Sequence, residues 1–139
     1  MGYLIKAIPT EIVTAKVTLT SANLLTPGYI FDIPEYAAVP GFFWHVIYMN
    51  GQILPGSGNT PYLGTSAIHI QASFASIYQY RFSGNYMQNS INYWGCATSA
   101  AGASIQFEQF DKLQIHNPGI LTVGNTKLNI YIGANLIPY

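Results

Sequence analysis

The sequence predicts an all-β protein, an antiparallel β-sandwich of about eight strands with a jelly-roll-like arrangement. Apolar residues recur with a period of two, as in residues 68–74, where alternate positions are apolar and the others polar. This alternation is typical of half-buried antiparallel strands. Pro-Gly and Asn-Gly turn signals separate the runs, and no extended window carries the apolar stripe of a helix. Short strands separated by such turns indicate a sandwich or a jelly roll.

Each predicted strand is a short alternating run bounded by turn residues. In chain order, the runs are residues 17–20, 29–33, 42–49, 68–74, 78–82, 113–116 and 128–132. The predicted turns between them are residues 26–28, 33–34, 39–41, 50–51, 55–59, 117–119 and 124–125. The small residues of 97–103 predict a loop. Because neither a repeat nor a linker interrupts the pattern, we expect one domain over residues 1–139.

The composition is poor in charge. The 139 residues include five basic and five acidic side chains, and charged residues make up 7% of the chain, against about 25% in ordinary domains. So few cations argue against a nucleic-acid partner, and the absence of a long apolar run or a signal-peptide pattern argues against a membrane. Because a surface without net charge promotes association, we expect the protein to work within an assembly.

The run at 42–49 departs from alternation because it is apolar on both faces. Such a strand needs cover on both sides. One interpretation is a central strand whose outer face lies under a long loop. The other is a contact with a second subunit through the second face of the strand, which consists of Phe43, His45, Ile47 and Met49.

No catalytic or metal-binding motif is recognisable. The carboxylate pairs Asp32 with Glu35 and Glu108 with Asp111 have the residue types that a glycosidase needs, but solvated loop carboxylates are the interpretation we favour. Cys96 has no basic neighbour to lower its pKa and is expected to be a buried, inert thiol. The histidines lie on three different predicted strands without metal-ligand spacing: His45, His69 and His116. We therefore expect no enzymatic activity, no metal and no cofactor.

The chain has eleven tyrosines, which is an excess. Tyr78, Tyr80 and Phe82 are predicted to share one strand face and to fill the core. A second group lies in or beside the amide-rich segment 83–92, which has no clean periodicity, and is expected to be exposed. Exposed aromatic residues with a polar tip favour protein interfaces and also stack on sugar rings. This second group consists of Tyr86, Tyr93 and Trp94.

Two stretches carry a family resemblance. Residues 17–26 lead through 31–34 and the Pro-Gly turn of 38–41 into the apolar strand, which is followed by a Gly- and Tyr-containing loop at 58–62. Residues 117–132 form a polar, Gly-containing turn and an alternating last strand. Together they resemble small head-decoration or tail structural proteins of tailed bacteriophages. The resemblance implies a jelly-roll-like virion component, present in symmetric or repeated copies, without catalytic residues.

We therefore expect a virion structural protein that decorates the capsid or forms part of the tail. It would act by self-association, with a trimer as the expected oligomer, and by docking on other virion proteins such as the major capsid or tail protein. The alternative, from a different class, is a carbohydrate-binding or host-adsorption module that binds a glycan through the exposed aromatic residues Tyr86, Tyr93 and Trp94.

Overall fold

The computed structural model describes residues 11–73, 78–99 and 111–138. Within them, a short helix α1 (Ser21–Leu24) and two 3-10 turns (Pro34–Tyr36 and Tyr86–Gln88) accompany eleven strands. The strands are β1 (Val13–Leu19), β2 (Tyr29–Asp32), β3 (Phe42–Leu54), β4 (Leu63–Thr65), β5 (His69–Ala72), β6 (Tyr78–Arg81), β7 (Trp94–Cys96), β8 (Thr98–Ser99), β9 (Leu113–Asn117), β10 (Ile120–Thr122) and β11 (Lys127–Pro138). The predicted all-β, antiparallel class is confirmed.

The strands form two main sheets and one small ribbon. The four-stranded sheet has the order β1-β11-β3-β7, the five-stranded sheet has the order β2-β9-β5-β6-β8, and β10 pairs with β4 alone. The pairings are nested: β1 pairs with β11, β2 with β9, β3 with β7 and β5 with β6. The chain therefore runs as one long hairpin with two arms. Strands of the two arms pair from the chain ends inward, and successive pairs lie in alternate main sheets.

Alternate residues of both main sheets point between them and form one core cluster. On β1 and β11, the inward positions include Val17, Leu19, Ile130 and Ile132, all at most 3% exposed. The side chains between these positions face outward, as the period of two predicts. The core therefore follows the sequence alternation, except at two β-bulges.

The first bulge lies in β3. Its register with β11 pairs Tyr48 with Gly133 and Val46 with Ala134, so Ile47 has no partner across the ladder. One extra residue in a strand reverses which positions face the core. The two halves of β3 therefore point opposite sets of side chains inward.

Because of this bulge, the prediction that alternate residues 43–49 form one contact face of β3 is wrong. Met49 faces the core and is 1% exposed, because it lies on the other side of the bulge from Phe43 and His45. Phe43 is also buried, His45 is half-buried, and Ile47 is exposed at the bulge itself. Since Phe43 and Met49 are both buried, the four residues do not form one exposed contact face.

The second bulge lies in β6. Ile70 pairs with Tyr80 and Gln71 pairs with Tyr78, which leaves Gln79 as the extra residue. Tyr78 and Tyr80 therefore lie on opposite faces of the sheet, and the prediction that they share one face is wrong. The side chain of Gln79 joins β6 to β3 of the other main sheet. Its Oε1 accepts a hydrogen bond from the Val46 N–H at 2.8 Å, and its Nε2 donates to the Trp44 carbonyl at 2.9 Å.

Other differences from the predicted elements are local. The predicted turn Asn50–Gly51 lies inside β3, where the Gly51 backbone packs under Phe82. β4, β7, β8 and β10 were not predicted, since each has only two or three residues. β8 lies within the predicted loop 97–103. Phe74, Glu108 and residues 100–103 lie outside the described residues.

Four connecting segments meet at one end of the sandwich, and hydrogen bonds join them there. The Nδ2 of Asn117, at the end of β9, donates to the Leu24 carbonyl at the end of α1, over 3.0 Å. The Ser66 N–H, before β5, donates to the Gly84 carbonyl, after β6, over 2.8 Å. The β4–β10 ribbon lies at this end, because β4 belongs to the β3–β5 connection and β10 to the β9–β11 connection.

Candidate functional site

The β4–β10 ribbon exposes the most solvent-accessible large apolar side chains of the described residues. Leu63, Ile120 and Val123 are 60%, 64% and 66% exposed. Leu63 pairs with Thr122, and Ile120 pairs with Thr65 in the same register, so Leu63 and Ile120 share the outward face of the ribbon. Val123 follows β10 directly. We call these three residues the apolar tip.

The ribbon is held tightly by glycine and by a buried polar contact. A side chain at Gly64 would meet the Ile120 carbonyl oxygen at 2.3 Å, and Gly64 has a φ of +90°, so only glycine suits this position. Ser66 donates a hydrogen bond to Asn117 and accepts one from the Gly119 N–H at 2.9 Å. The apolar tip is therefore supported by a fixed backbone.

Val123 adds backbone strain to the apolar tip. Its φ is +74°, in the left-handed region, which a β-branched residue rarely adopts. Such conformations persist where the surrounding structure imposes them, and they are found most often at functional sites. A valine that is both strained and exposed has no role in the core, so its position favours a contact with another molecule.

A second surface lies on the outer face of the four-stranded sheet. Trp94 is 58% exposed, and its ring lies 5.8 Å from that of Tyr131, with the ring planes 26° apart. Asn50 and Gln52 are their neighbours across the strands: Gln52 pairs with Trp94, and Asn50 pairs with Tyr131. We call Trp94, Tyr131, Asn50 and Gln52 the amide–aromatic face.

Neighbouring side chains contact Tyr131, whereas the two amide side chains have no hydrogen-bond partner in the described part of the chain. The Nδ2 of Asn129 lies 3.4 Å from the Tyr131 hydroxyl, and the Lys16 ammonium lies 5.8 Å from the centre of its ring. The side chains of Asn50 and Gln52 make no hydrogen bond to any residue that the structure describes, although both are partly buried. They present donors and acceptors toward solvent beside the two rings.

The structure separates the three aromatic residues that were predicted to be exposed together. Tyr86 is 3% exposed in the core, so its prediction is wrong: it packs on Phe82, with ring centres 4.5 Å apart. Tyr93, the residue before β7, is exposed and packs edge-on against Tyr86, whereas Trp94 packs against Tyr131. Of these three residues, only Trp94 lies on the outer face of the four-stranded sheet.

The buried tyrosine ring adjoins an open cleft of about 560 Å³ lined by residues that include Arg81, Tyr93 and Cys96. Cys96 is exposed there, so the prediction of a buried thiol is wrong. Its backbone pairs with Asn50 near the edge of the four-stranded sheet, which leaves the side chain accessible. Burial raises the pKa of the Tyr86 hydroxyl, which makes this group a poor acid or base for chemistry in the cleft.

Among the described residues, the histidines and carboxylates do not form one cluster. His69 and His116 are neighbours on β5 and β9, with ring centres 5.0 Å apart, whereas His45 lies on β3 of the other sheet. Hydrogen bonds from Gln114 and Lys112 hold the pKa of Asp32 below its usual value. Residues 11–73, 78–99 and 111–138 contain no group of three metal-ligating side chains. Within the same residues, no helix is long and apolar enough to cross a membrane.

Sequence reasoning missed most of both surfaces. The signal for Tyr131 and Asn129 was present, because they occupy the polar positions of the alternating run 128–132. Asn50 and Gln52 were not identified because residues 50–51 were predicted to form a turn. Nothing in the local pattern marked Leu63 as exposed, since β4 is only three residues long.

No protein-family model matches the chain, and the search of curated proteins finds no match.

Proposed function

We propose that the chain is a structural component of a tailed-phage particle, and that it works by self-association and by docking on other virion proteins. The observation that carries the proposal is the apolar tip, in which Leu63 and Ile120 are exposed on one face of the β4–β10 ribbon and Val123 is exposed directly after it. Apolar groups presented together on a fixed backbone gain free energy when a partner covers them.

The strand connectivity supports this class of function. We propose a jelly-roll plan for the fold, supported by the nested pairing of eight strands, in which the arms of one long hairpin alternate between two sheets. Jelly rolls are common in viral capsid proteins and in lectins. The resemblance of residues 17–62 and 117–132 to phage head-decoration and tail proteins favours the virion over other settings.

The charge distribution supports association as well. The zero net charge provides little long-range repulsion between copies. In the described residues, the nearest charged side chains in sequence to the apolar tip are Arg81, Lys112 and Lys127, and none lies on the β4–β10 ribbon. A second copy that covers the three side chains of the tip therefore buries no charge of the ribbon itself, which would be costly.

Sedimentation equilibrium of the purified chain tests the proposal. We expect an oligomer at micromolar concentration, and we expect Ile120→Thr to weaken it about tenfold or more, because an exposed isoleucine contributes on the order of 1–2 kcal/mol when it is buried. Ile30→Thr is the matched control, since Ile30 is also an exposed strand isoleucine, at 47%, but lies on β2. A wild-type monomer at about 100 μM would contradict self-association, and a larger effect of Ile30→Thr would contradict the tip.

A further inference from the structure

We propose that the amide–aromatic face is a binding site for a neutral hexopyranose polysaccharide. The site is Trp94, Tyr131, Asn50 and Gln52 on the outer face of the four-stranded sheet. This activity is additional to self-association, and it uses a different surface from the apolar tip.

The rings provide the apolar half of the recognition. A pyranose ring presents a face of C–H groups, which carry slight positive charge, and the face of an aromatic ring is negative. Trp94 is 58% exposed, so one broad indole face is open to such a contact. Tyr131 stacks against it, with ring centres 5.8 Å apart and ring planes 26° apart, so the Tyr131 ring helps to fix the orientation of the indole.

The amides provide the polar half. Each sugar hydroxyl needs a donor and an acceptor when it leaves water, and a carboxamide offers both on one planar group. Asn50 and Gln52 lie in the rows beside the two rings and have no hydrogen-bond partner among the described residues. Their partly buried positions reduce the conformational entropy that they lose on binding.

The charge and size of the face favour a neutral, extended chain. Its four residues are uncharged, and Lys16 at its border already lies over the Tyr131 ring, 5.8 Å from the ring centre. The distance from β7 to β11 is two strand spacings, or about 10 Å, which is enough for two linked sugar rings. Trp94, at the edge strand β7, is the exposed member of the face, and an edge position suits a polysaccharide, whose chain continues beyond the site in both directions.

The alternatives within this surface fit less well. A nucleic acid would need several cations to neutralise its phosphates, and the described residues of the four-stranded sheet include only two, Lys16 and Lys127. A protein partner covering a face of this kind would leave the two free amides dependent on matching polar groups. A polysaccharide carries hydroxyl groups along its whole length, and these can pair with both amides.

The test is a glycan array that contains linear glucose, galactose, mannose and N-acetylhexosamine polymers, probed with the full chain. Binding of the hits by the wild type and each variant is then titrated by isothermal titration calorimetry with the corresponding soluble hexasaccharide, and tryptophan fluorescence gives a second titration for the wild type. We expect binding that Trp94→Ala weakens at least tenfold, and that Gln52→Ala weakens about three- to tenfold through one lost hydrogen bond. Trp44 is 5% exposed in the core, so the titrated fluorescence change should come from Trp94.

Two controls make the result decisive. Ile120→Thr, on the apolar tip, should bind the hexasaccharide as the wild type does, which separates this site from the proposed self-association. Circular dichroism should show that Trp94→Ala remains folded, since Trp94 lies outside the core cluster. The proposal is overturned if the wild type binds no glycan on the array, or if binding survives in Trp94→Ala.

Discussion

Asn117 joins the end of α1 to the β5 connection, and its replacement by alanine should strongly destabilise the fold. The residue is fully buried. Its Nδ2 donates to the Leu24 carbonyl at 3.0 Å, and its Oδ1 accepts from the Ser66 hydroxyl. The carbonyls of Asn23 and Thr26 lie within 3.4 Å of the same nitrogen. One side chain therefore satisfies the Leu24 carbonyl at a helix end and a buried hydroxyl.

The magnitude follows from these contacts. Asn117→Ala removes two buried hydrogen bonds worth about 1 kcal/mol each, and it leaves a buried carbonyl or hydroxyl without a partner at a further cost of about 1–3 kcal/mol. We expect the free energy of unfolding to fall by about 3–5 kcal/mol. For a chain of this size, the midpoint of thermal unfolding should fall by about 10–20 °C.

Urea unfolding followed by circular dichroism measures this loss. The matched control is Asn59→Ala, because Asn59 is exposed and its side chain makes no hydrogen bond within the described residues. It should change the free energy of unfolding by less than about 0.5 kcal/mol. Equal losses for the two variants, or a loss below about 1 kcal/mol for Asn117→Ala, would refute the assignment of Asn117 as the polar link between these segments.

Three further predictions concern buried groups. The Tyr86 hydroxyl is buried without a hydrogen-bond partner in the described residues, whereas the Tyr62 hydroxyl donates to a backbone carbonyl at 2.6 Å. Chemical denaturation should therefore find Tyr86→Phe at least as stable as the wild type and Tyr62→Phe about 1–2 kcal/mol less stable; the reverse order would be incompatible with these environments. Burial, and then the neighbouring His69, lower the pKa of His116, so the unfolded chain binds this proton more readily. The free energy of unfolding should fall as the pH drops below about 6.5, and His116→Phe should flatten that dependence in urea titrations at pH 7.5 and 5.5; an unchanged slope would exclude His116 as its source. A side chain at Gly124 would meet the Tyr62 ring at 2.3 Å, so Gly124→Ala should cost about 1–3 kcal/mol, and a neutral result in thermal unfolding would show that the ring can move.

The alternating runs of the sequence predicted the fold class because alternation is what burial on one face of a strand requires. The segments 128–132 and 113–116 are examples, since their apolar positions all face the core. The two β-bulges were not predictable in this way. An extra residue at Ile47 or Gln79 has no compositional mark, and it reverses the facing of every later side chain in its strand.

The candidate sites depended on this facing and on tertiary contacts, so they were harder to predict. Met49 and Tyr86 were candidate contact residues, but both are buried in the core. Cys96 was predicted to be buried, but it is exposed because its short strand lies at a sheet edge. Trp94 was identified from composition alone, but its partner Tyr131 is 37 positions away in sequence. Only the pairing of β3 with both β7 and β11 brings the two rings onto one face.

Quantitative mass spectrometry of purified phage particles tests most directly whether the chain is a virion component. Particles raised from the genome that encodes the chain would be banded twice in density gradients, and peptides of the chain measured against those of the major capsid protein. We predict that the chain stays with the particles in a constant ratio through both gradients. Its presence in the lysate and loss from the banded particles would contradict a structural role in the virion.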